Sequence, residues 1–258
     1  MDRYDRAITI FSPDGHLFQV EYAQEAVKKG SVAIGVKGKN CVVLAVEKKM
    51  IAKLQEERTV RKINKIDEHI IMAFAGLNAD ARVLTNMARV EAQSWRLTME
   101  DAPPVDHIAR FLANTMQRYT QSNGRRPFGV SAIVAGVNAD GTPHLFQVEP
   151  SGTYYEWRAN CTGRSTSIIR SFLEKKYSEE NCQDSRSCLK LGVRALHEVI
   201  HPSAQSVEAC IVSYDRSRPT KVLNLIISEL VTSELLESVV REVIAEREAE
   251  VSTTRSHH

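Results

Sequence analysis

The helical segments of this chain come in pairs, and the pairs stand between groups of strands. That spacing constrains the fold more than any single motif does. Val, Ile and Ala fill 31–37 and 41–47, and Lys37-Gly38-Lys39-Asn40 lies between them, which reads as a hairpin. The run Val42-Val43-Leu44-Ala45-Val46 is apolar throughout, as a strand covered on both faces should be. A charged stretch over 48–61 reads as a loop, with a short strand near 50–54. Residues 69–75 form another buried strand, ended by Gly76. Two helices follow. The first spans 78–97, capped by Asn78 with Asp80 in its first turn, and Val83, Met87, Val90 and Ser94 or Trp95 point inward. The second starts at Pro103-Pro104 and ends at Asn123-Gly124, with Ile108, Phe111, Leu112, Met116 and Tyr119 on its apolar face.

Strands then return at 129–137 and 144–148, around an Asp140-Gly141 hairpin signal, and at 153–160. A second helix pair is expected at 165–177 and 184–201, and strands at 207–214 and 221–227. Ser228 caps a last helix over about 229–250, where Leu235, Val239 and Ile244 are apolar and Glu dominates the rest. Single helices alternating with strands would indicate a doubly wound parallel sheet. Paired helices between strand groups indicate two antiparallel sheets packed face to face with helices outside, a four-layer α/β/β/α sandwich. No Pro/Gly/Ser-rich linker divides the 258 residues, so one domain is expected: a lead and helix at 1–30, a sandwich core at 31–228, and a terminal helix and tail at 229–258.

An extra helix precedes the sandwich. Ser12-Pro13-Asp14-Gly15 reads as a turn, because Pro13 presets φ and Asp14 can bond back to the backbone. Over 17–29, Phe18, Tyr22 and Ala26 fall four apart on one face, beside Ala23 and Val27. Lys28 and Lys29 suit the negative end of the helix dipole, and Gly30 suits the position after it. The segment lacks the apolar core and cleavage site of a secretory leader. The five cysteines, Cys41, Cys161, Cys182, Cys188 and Cys210, are odd in number, scattered and without a C-x-x-C pair, so they read as reduced, mostly buried thiols. A formal net charge of +2 favours no polyanionic partner, and no apolar run approaches the roughly 20 residues of a membrane span.

Several motifs bear on chemistry. His197-Glu198-Val199-Ile200-His201 is a literal H-E-x-x-H, which on a helix would bind zinc through two imidazoles while Glu198 activates water. Against it, Pro202 follows at once and no third ligand is evident, since Glu208 belongs to the next strand. Gly163-Arg164-Ser165-Thr166 opens a helix and reads as an N-cap rather than an anion site. No phosphate-cradling Gly-rich motif occurs. The locally basic stretch 28–65 lacks interleaved aromatics, so a solvated face or subunit contact is expected there rather than nucleic acid. No cofactor and no metal are expected.

The block Tyr4-Asp5-Arg6, Phe11-Ser12-Pro13-Asp14-Gly15 and 17–30 resembles the N-terminal signature of the alpha subunits of the 20S proteasome. The likeness continues to about residue 228 and is closest to the type-7 branch; the tail 251–258 lacks that branch's lysine-rich ending. The resemblance implies the N-terminal-nucleophile hydrolase-like sandwich with an added N-terminal helix. It implies a non-catalytic structural and gating subunit in a heteroheptameric alpha ring, in contact with other alpha subunits and with beta subunits. Such rings control substrate entry in ubiquitin-dependent and -independent degradation. They dock regulatory-particle ATPases and other activators through C-terminal tails. Cytoplasm and nucleus are the expected compartments. Carried over by position, Tyr4, Asp5, Pro13 and Tyr22 form the gating cluster, Arg6 completes its motif, and Lys62, Gly76 and Leu77 form the activator-tail pocket. The catalytic beta subunits of the same superfamily expose a threonine after self-cleavage. The analogous positions here are Gly30-Ser31, Glu47 and Lys62. While Ser31 remains inside a peptide bond it has no free α-amine to act as base. The enzyme alternatives are thus a zinc metallopeptidase at His197 and His201, or a self-processing hydrolase at Ser31.

Overall fold

A computed structural model describes residues 10–48, 54–56, 59–122, 124–200, 206–214 and 226–255. The N-terminal helix α1 spans Phe18–Lys28. The hairpin strands are β1 (Ala33–Lys37) and β2 (Cys41–Glu47), followed by β3 (Ile63–Asp67) and β4 (Ile70–Gly76). Helices α2 (Asn78–Met99) and α3 (Val105–Thr120) precede β5 (Val130–Val137), β6 (Pro143–Val148), β7 (Tyr154–Glu156) and β8 (Ala159–Thr162). Then come α4 (Thr166–Lys176), α5 (Ser185–His197), β9 (Val207–Tyr214), β10 (Ile226–Leu230) and α6 (Ser233–Arg255).

The strands form two five-stranded sheets, ordered β10-β9-β2-β1-β8 and β3-β4-β5-β6-β7, with every neighbouring pair antiparallel. Period-2 alternation sends the side chains of the inner strands to two different cores. In β2, Val42, Leu44 and Val46 meet Ile71 and Ala73 of β4 and Ile133, Ala135 and Val137 of β5 between the sheets. The other parity of β2, Cys41, Val43 and Ala45, packs under α4, α5 and α6. Met72 and Phe74 of β4, with Ala132 and Val134 of β5, pack under α2 and α3. Three apolar layers between four structural layers make the expected sandwich. Among the described residues no helix is long and apolar enough to cross a membrane.

Several local details differ from expectation. The turn at Ser12-Pro13-Asp14-Gly15 forms, with the Gly15 N–H bonded to Ser12 O at 2.9 Å. The side chain that closes it is Ser12, whose Oγ accepts from the His16 N–H at 3.0 Å, rather than Asp14. The buried face of α1 is Val20, Ala23 and Val27, one step from the expected Phe18, Tyr22 and Ala26 stripe. In α2 the residues expected to point inward at positions 83 and 90 face away from the sheet. Ala81, Leu84, Ala88 and Ala92 are buried while Val83 and Val90 are exposed, because small side chains let the helix axis approach the strands. Asn78 is the first residue of α2, not its cap; Leu77 holds that position. Likewise Ser165 occupies the N-cap of α4 without a side-chain capping bond.

Strand β3 was not expected, because its apolar residues are interrupted by Asn64 and Lys65 and its ladder carries a bulge between Lys65 and Asp67. The strand expected at 153–160 is two strands in different sheets: β7 pairs with β6, and β8 pairs with β1. Helix α5 stops at His197. Strand β10 runs through Ser228 to Leu230, so α6 begins at Ser233 and Ser228 caps nothing. Most of the short strand expected at 50–54 lies outside the described residues; Leu54 itself sits in a turn.

One ion pair fastens α2 to the edge of its sheet. Arg96 donates from Nε and Nη2 to the two oxygens of Asp67, at 2.8 and 3.0 Å. Burial alone would raise the Asp67 carboxyl. The Arg96 guanidinium, the Glu68 N–H and neighbouring His69 outweigh burial and hold it below its ordinary value. Its folded value therefore lies below the unfolded one of about 3.9. The resulting stabilisation is present above about pH 4 and is lost as the pH falls through the folded value. Asp67→Asn should destabilise the chain by about 2 kcal/mol at pH 7, less than a fully buried pair because Arg96 is partly exposed. Urea unfolding at pH 7 and pH 3 should show the gap between variant and parent shrink on acidification. A gap that stays constant would mean that the charge on Asp67 contributes nothing.

Candidate functional site

Strand β4, helix α2 and the end of α1 converge on a backbone joint. Gly76 closes β4 with φ +114°, a left-handed conformation that favours glycine, and a Cβ there would stand 2.1 Å from Gly129 O. Gly30 follows α1, and a Cβ on it would lie 2.4 Å from Gly76 N. Its φ is not positive, so glycine is needed here for close approach and not as a left-handed cap. The Leu77 N–H donates to Gly129 O at 2.9 Å, and the Leu77 side chain stays half-exposed at the rim.

Asp80 braces this joint from the first turn of α2. Its carboxylate accepts two bonds from Arg126, at 2.6 and 2.9 Å, and one from the Gly129 N–H at 3.0 Å. Burial pushes the Asp80 carboxyl up, but Arg126 and the Gly129 N–H together hold it below its usual range. An acid in the first turn also complements the helix dipole. Sequence reasoning placed Asp80 as a dipole partner only. Its bond to Gly129 crosses 49 residues, and no local pattern announces such a contact.

Lys62 lies beside the joint. Its Nζ donates to Asn78 Oδ1 at 2.7 Å and stands 5.1 Å from the centre of the Phe74 ring. Its backbone N–H is taken by Glu208 of β9 at 2.9 Å. Burial pushes the Glu208 carboxyl up, only partly offset by the Lys62 and Ile63 N–H groups. The structure thus gathers Lys62, Gly76 and Leu77 at the N-terminus of α2, where an ammonium and the helix N–H groups both favour an anion. Lys62 is 6 % exposed in this chain alone.

Of the gating residues, Tyr4, Asp5 and Arg6 lie outside the described residues. Pro13 is exposed in its turn. Tyr22 is 49 % exposed on α1, in a short aromatic column in which His16 stacks on Phe18 and Phe18 on Tyr22.

The catalytic alternatives meet specific geometry. Ser31 is 2 % exposed and continues unbroken from α1 through Gly30. Glu47, expected beside it, accepts from the Val32 N–H at 3.2 Å and is paired with Arg164, while the Lys62 head is directed to Asn78. In the H-E-x-x-H segment, α5 ends at His197 and Glu198 is its C-cap, so the one-face helical spacing that the motif requires is not built. His197 Nδ1 sits 2.6 Å from Arg247 Nη1 of α6, and His201 lies outside the described residues. Among the described residues no group of three His, Cys, Asp or Glu is arranged to hold a metal ion.

Comparison with known proteins covers most of the chain. A family model described as "Proteasome subunit" matches residues 27–213, and a model of the N-terminal signature of A-type proteasome subunits matches residues 4–26. The chain is 54 % identical over 249 residues to an alpha type-7 proteasome subunit of Caenorhabditis elegans, covering 96 % of each. It is 56 % identical over 233 residues to an alpha type-8 proteasome subunit of Mus musculus, covering 90 % of this chain and 92 % of the relative. To the alpha type-7-1 proteasome subunit of Drosophila melanogaster it is 57 % identical over 222 residues, or 86 % and 88 % of the two chains. With the N-terminal signature, the added helix and the two-sheet sandwich all present, this chain belongs to the proteasome alpha-subunit family.

Proposed function

We propose that this chain is a non-catalytic structural and gating subunit of the 20S core particle. It occupies one position in a heteroheptameric alpha ring between like subunits and a beta ring, in cytoplasm and nucleus. The observation that carries this reading is α1 itself. It packs on β4 and β5 and runs straight into a buried Ser31, so the segment that a self-processing hydrolase would discard is here part of the folded body. The zinc reading is the weaker alternative, because α5 ends at the first histidine of its motif. Native and intact mass of the protein from its own cells should find the full-length chain within a complex of roughly two dozen subunits. A free species beginning at Ser31 would overturn the reading.

In the gate, Tyr4, Asp5, Pro13 and Tyr22 order the leading segment, and Arg6 pairs with a neighbour. Lys62, Gly76 and Leu77 receive the C-terminal carboxylate of a regulatory ATPase or another activator, with the ammonium as counter-ion and the glycine leaving room for the tail. A hydrogen bond between charged partners contributes about 1.5–3 kcal/mol. Lys62→Ala should therefore weaken activator-stimulated peptide hydrolysis by the assembled particle by roughly tenfold in activator concentration, with unstimulated hydrolysis unchanged. Equal stimulation of variant and parent would remove Lys62 from the pocket.

The outward face of α2 supports a ring contact. Val83, Val90 and Leu97 recur every seven residues and are 45, 70 and 85 % exposed, an apolar stripe that a lone subunit leaves in water. Val90→Glu should leave the isolated chain's stability within about 0.5 kcal/mol and block its incorporation into particles, read by native electrophoresis. Normal incorporation would assign the stripe no interface.

A further inference from the structure

Three of the five buried cysteines meet where β2, α5 and the α4–α5 connection converge. Cys41 opens β2, Cys188 lies in the first turn of α5, and Cys182 lies in the connection before it. The sulfurs of Cys41 and Cys188 are 4.0 Å apart, and the Cys188 thiol also donates to Cys182 O at 3.6 Å. Gly38, in the β1–β2 turn, closes the group from above. A Cβ there would stand 2.6 Å from Cys188 Sγ, 2.9 Å from Cys182 O and 2.9 Å from Cys41 Sγ, so only glycine leaves the sulfurs their space. The Lys39 N–H anchors the connection through Cys182 O at 3.2 Å.

A cleft of about 560 Å³ adjoins the group. Cys182 forms part of its wall, together with Lys37, Lys39, Arg158, Tyr177 and Glu179. The other two cysteines sit apart from the cluster, and burial pushes their thiols up, Cys161 to about 11 and Cys210 to about 12. Within the cluster the direction differs. Hydrogen bonding with Cys188 pulls Cys41 and Cys182 below the ordinary thiol value, and the same contacts push Cys188 above it. Thiolate character is what makes a cysteine react with peroxide.

We propose that Cys182, Cys188 and Cys41 form a reversible thiol–disulfide centre in which Cys182, at the cleft wall, is oxidised first and Cys188 resolves it. The oxidant is hydrogen peroxide. The Cys182 thiolate attacks one peroxide oxygen, the O–O bond breaks, and one water leaves after protonation, giving the sulfenic acid. The sulfur of Cys188 then attacks the Cys182 sulfur. The Cys188 proton leaves with the hydroxyl as a second water, and the Cys182–Cys188 disulfide forms. In net terms two thiols lose two hydrogens and one peroxide becomes two waters. Cys41, 4.0 Å from Cys188, can attack the Cys188 sulfur and expel the Cys182 thiolate, moving the bond to Cys41–Cys188 without further oxidant.

The test is treatment of the full-length chain with hydrogen peroxide, alkylation, and peptide mapping before and after dithiothreitol. Expected is the loss of two of the five thiols, in a disulfide that joins Cys188 to Cys182 or to Cys41 and is reduced again by dithiothreitol. Cys188→Ala should abolish it and cut the loss from two thiols to one, leaving Cys182 as a sulfenic acid trapped by dimedone. Cys210→Ser, outside the cluster, should leave the disulfide intact. Should the Cys188 variant fail to fold, the parent's map decides alone. Oxidation confined to Cys161 or Cys210, or Cys182 passing to sulfinic acid with Cys188 still free, would overturn the proposal.

Discussion

Strands β2, β4 and β5 are apolar on both faces, and everything else in the molecule follows from covering them twice. An antiparallel strand that alternates apolar and polar residues needs one partner layer. A strand with no polar parity needs two. The residues between the sheets supply one cover, and the helix pairs supply the other: α2 and α3 on one side, α4 to α6 on the other. Burial of each large aliphatic side chain contributes about 1.5–3 kcal/mol. This demand fixes the order of layers before any polar contact is considered. The ion pairs then fix positions within that order: Asp67 with Arg96 at one end of α2, and Asp80 with Arg126 at the other.

The same layering sets the candidate pocket. Because β4 lies inside its sheet, its end must turn sharply to hand the chain to α2 on the outer face, and Gly76 makes that turn with its backbone against Gly129. The N-terminus of α2 is thereby held next to Lys62, which immediately precedes β3. The Lys62 ammonium is held there by Asn78 Oδ1 and lies beside the Phe74 ring.

The layered fold was legible because paired helices between strand groups and doubly apolar strands are long-range patterns with few alternatives. The Asp140-Gly141 hairpin was legible because its turn chemistry is local; Gly141 N–H does bond to Asn138 O, at 2.9 Å. What escaped depends on contacts with no sequence signature. The inward face of α2 is marked by alanines, which are only weakly hydrophobic, while Val83, Val90 and Leu97 advertise the opposite face. β3 hides its apolar residues behind Asn64 and Lys65. Residues 154–160 look like one aromatic strand, yet divide at Trp157-Arg158 to serve two sheets. At the candidate site, the choice of Lys62, Gly76 and Leu77 rests on family resemblance alone. The partners that orient them, Asn78, Gly129 and Asp80, became visible only once the chain was folded.

The division of residues 154–162 between β7 and β8 has a mechanical meaning. This short segment is a covalent tie between the two sheets, and the step from α1 through Gly30 into β1 is a second one, since α1 rests on β4 and β5 of one sheet while β1 belongs to the other. Stacked sheets held only by side-chain packing resist separation better than sliding. With the β2–β3 connection, which also crosses between the sheets, such backbone straps add resistance to shear. A load applied at α1 thus reaches both sheets through the backbone as well as through packing.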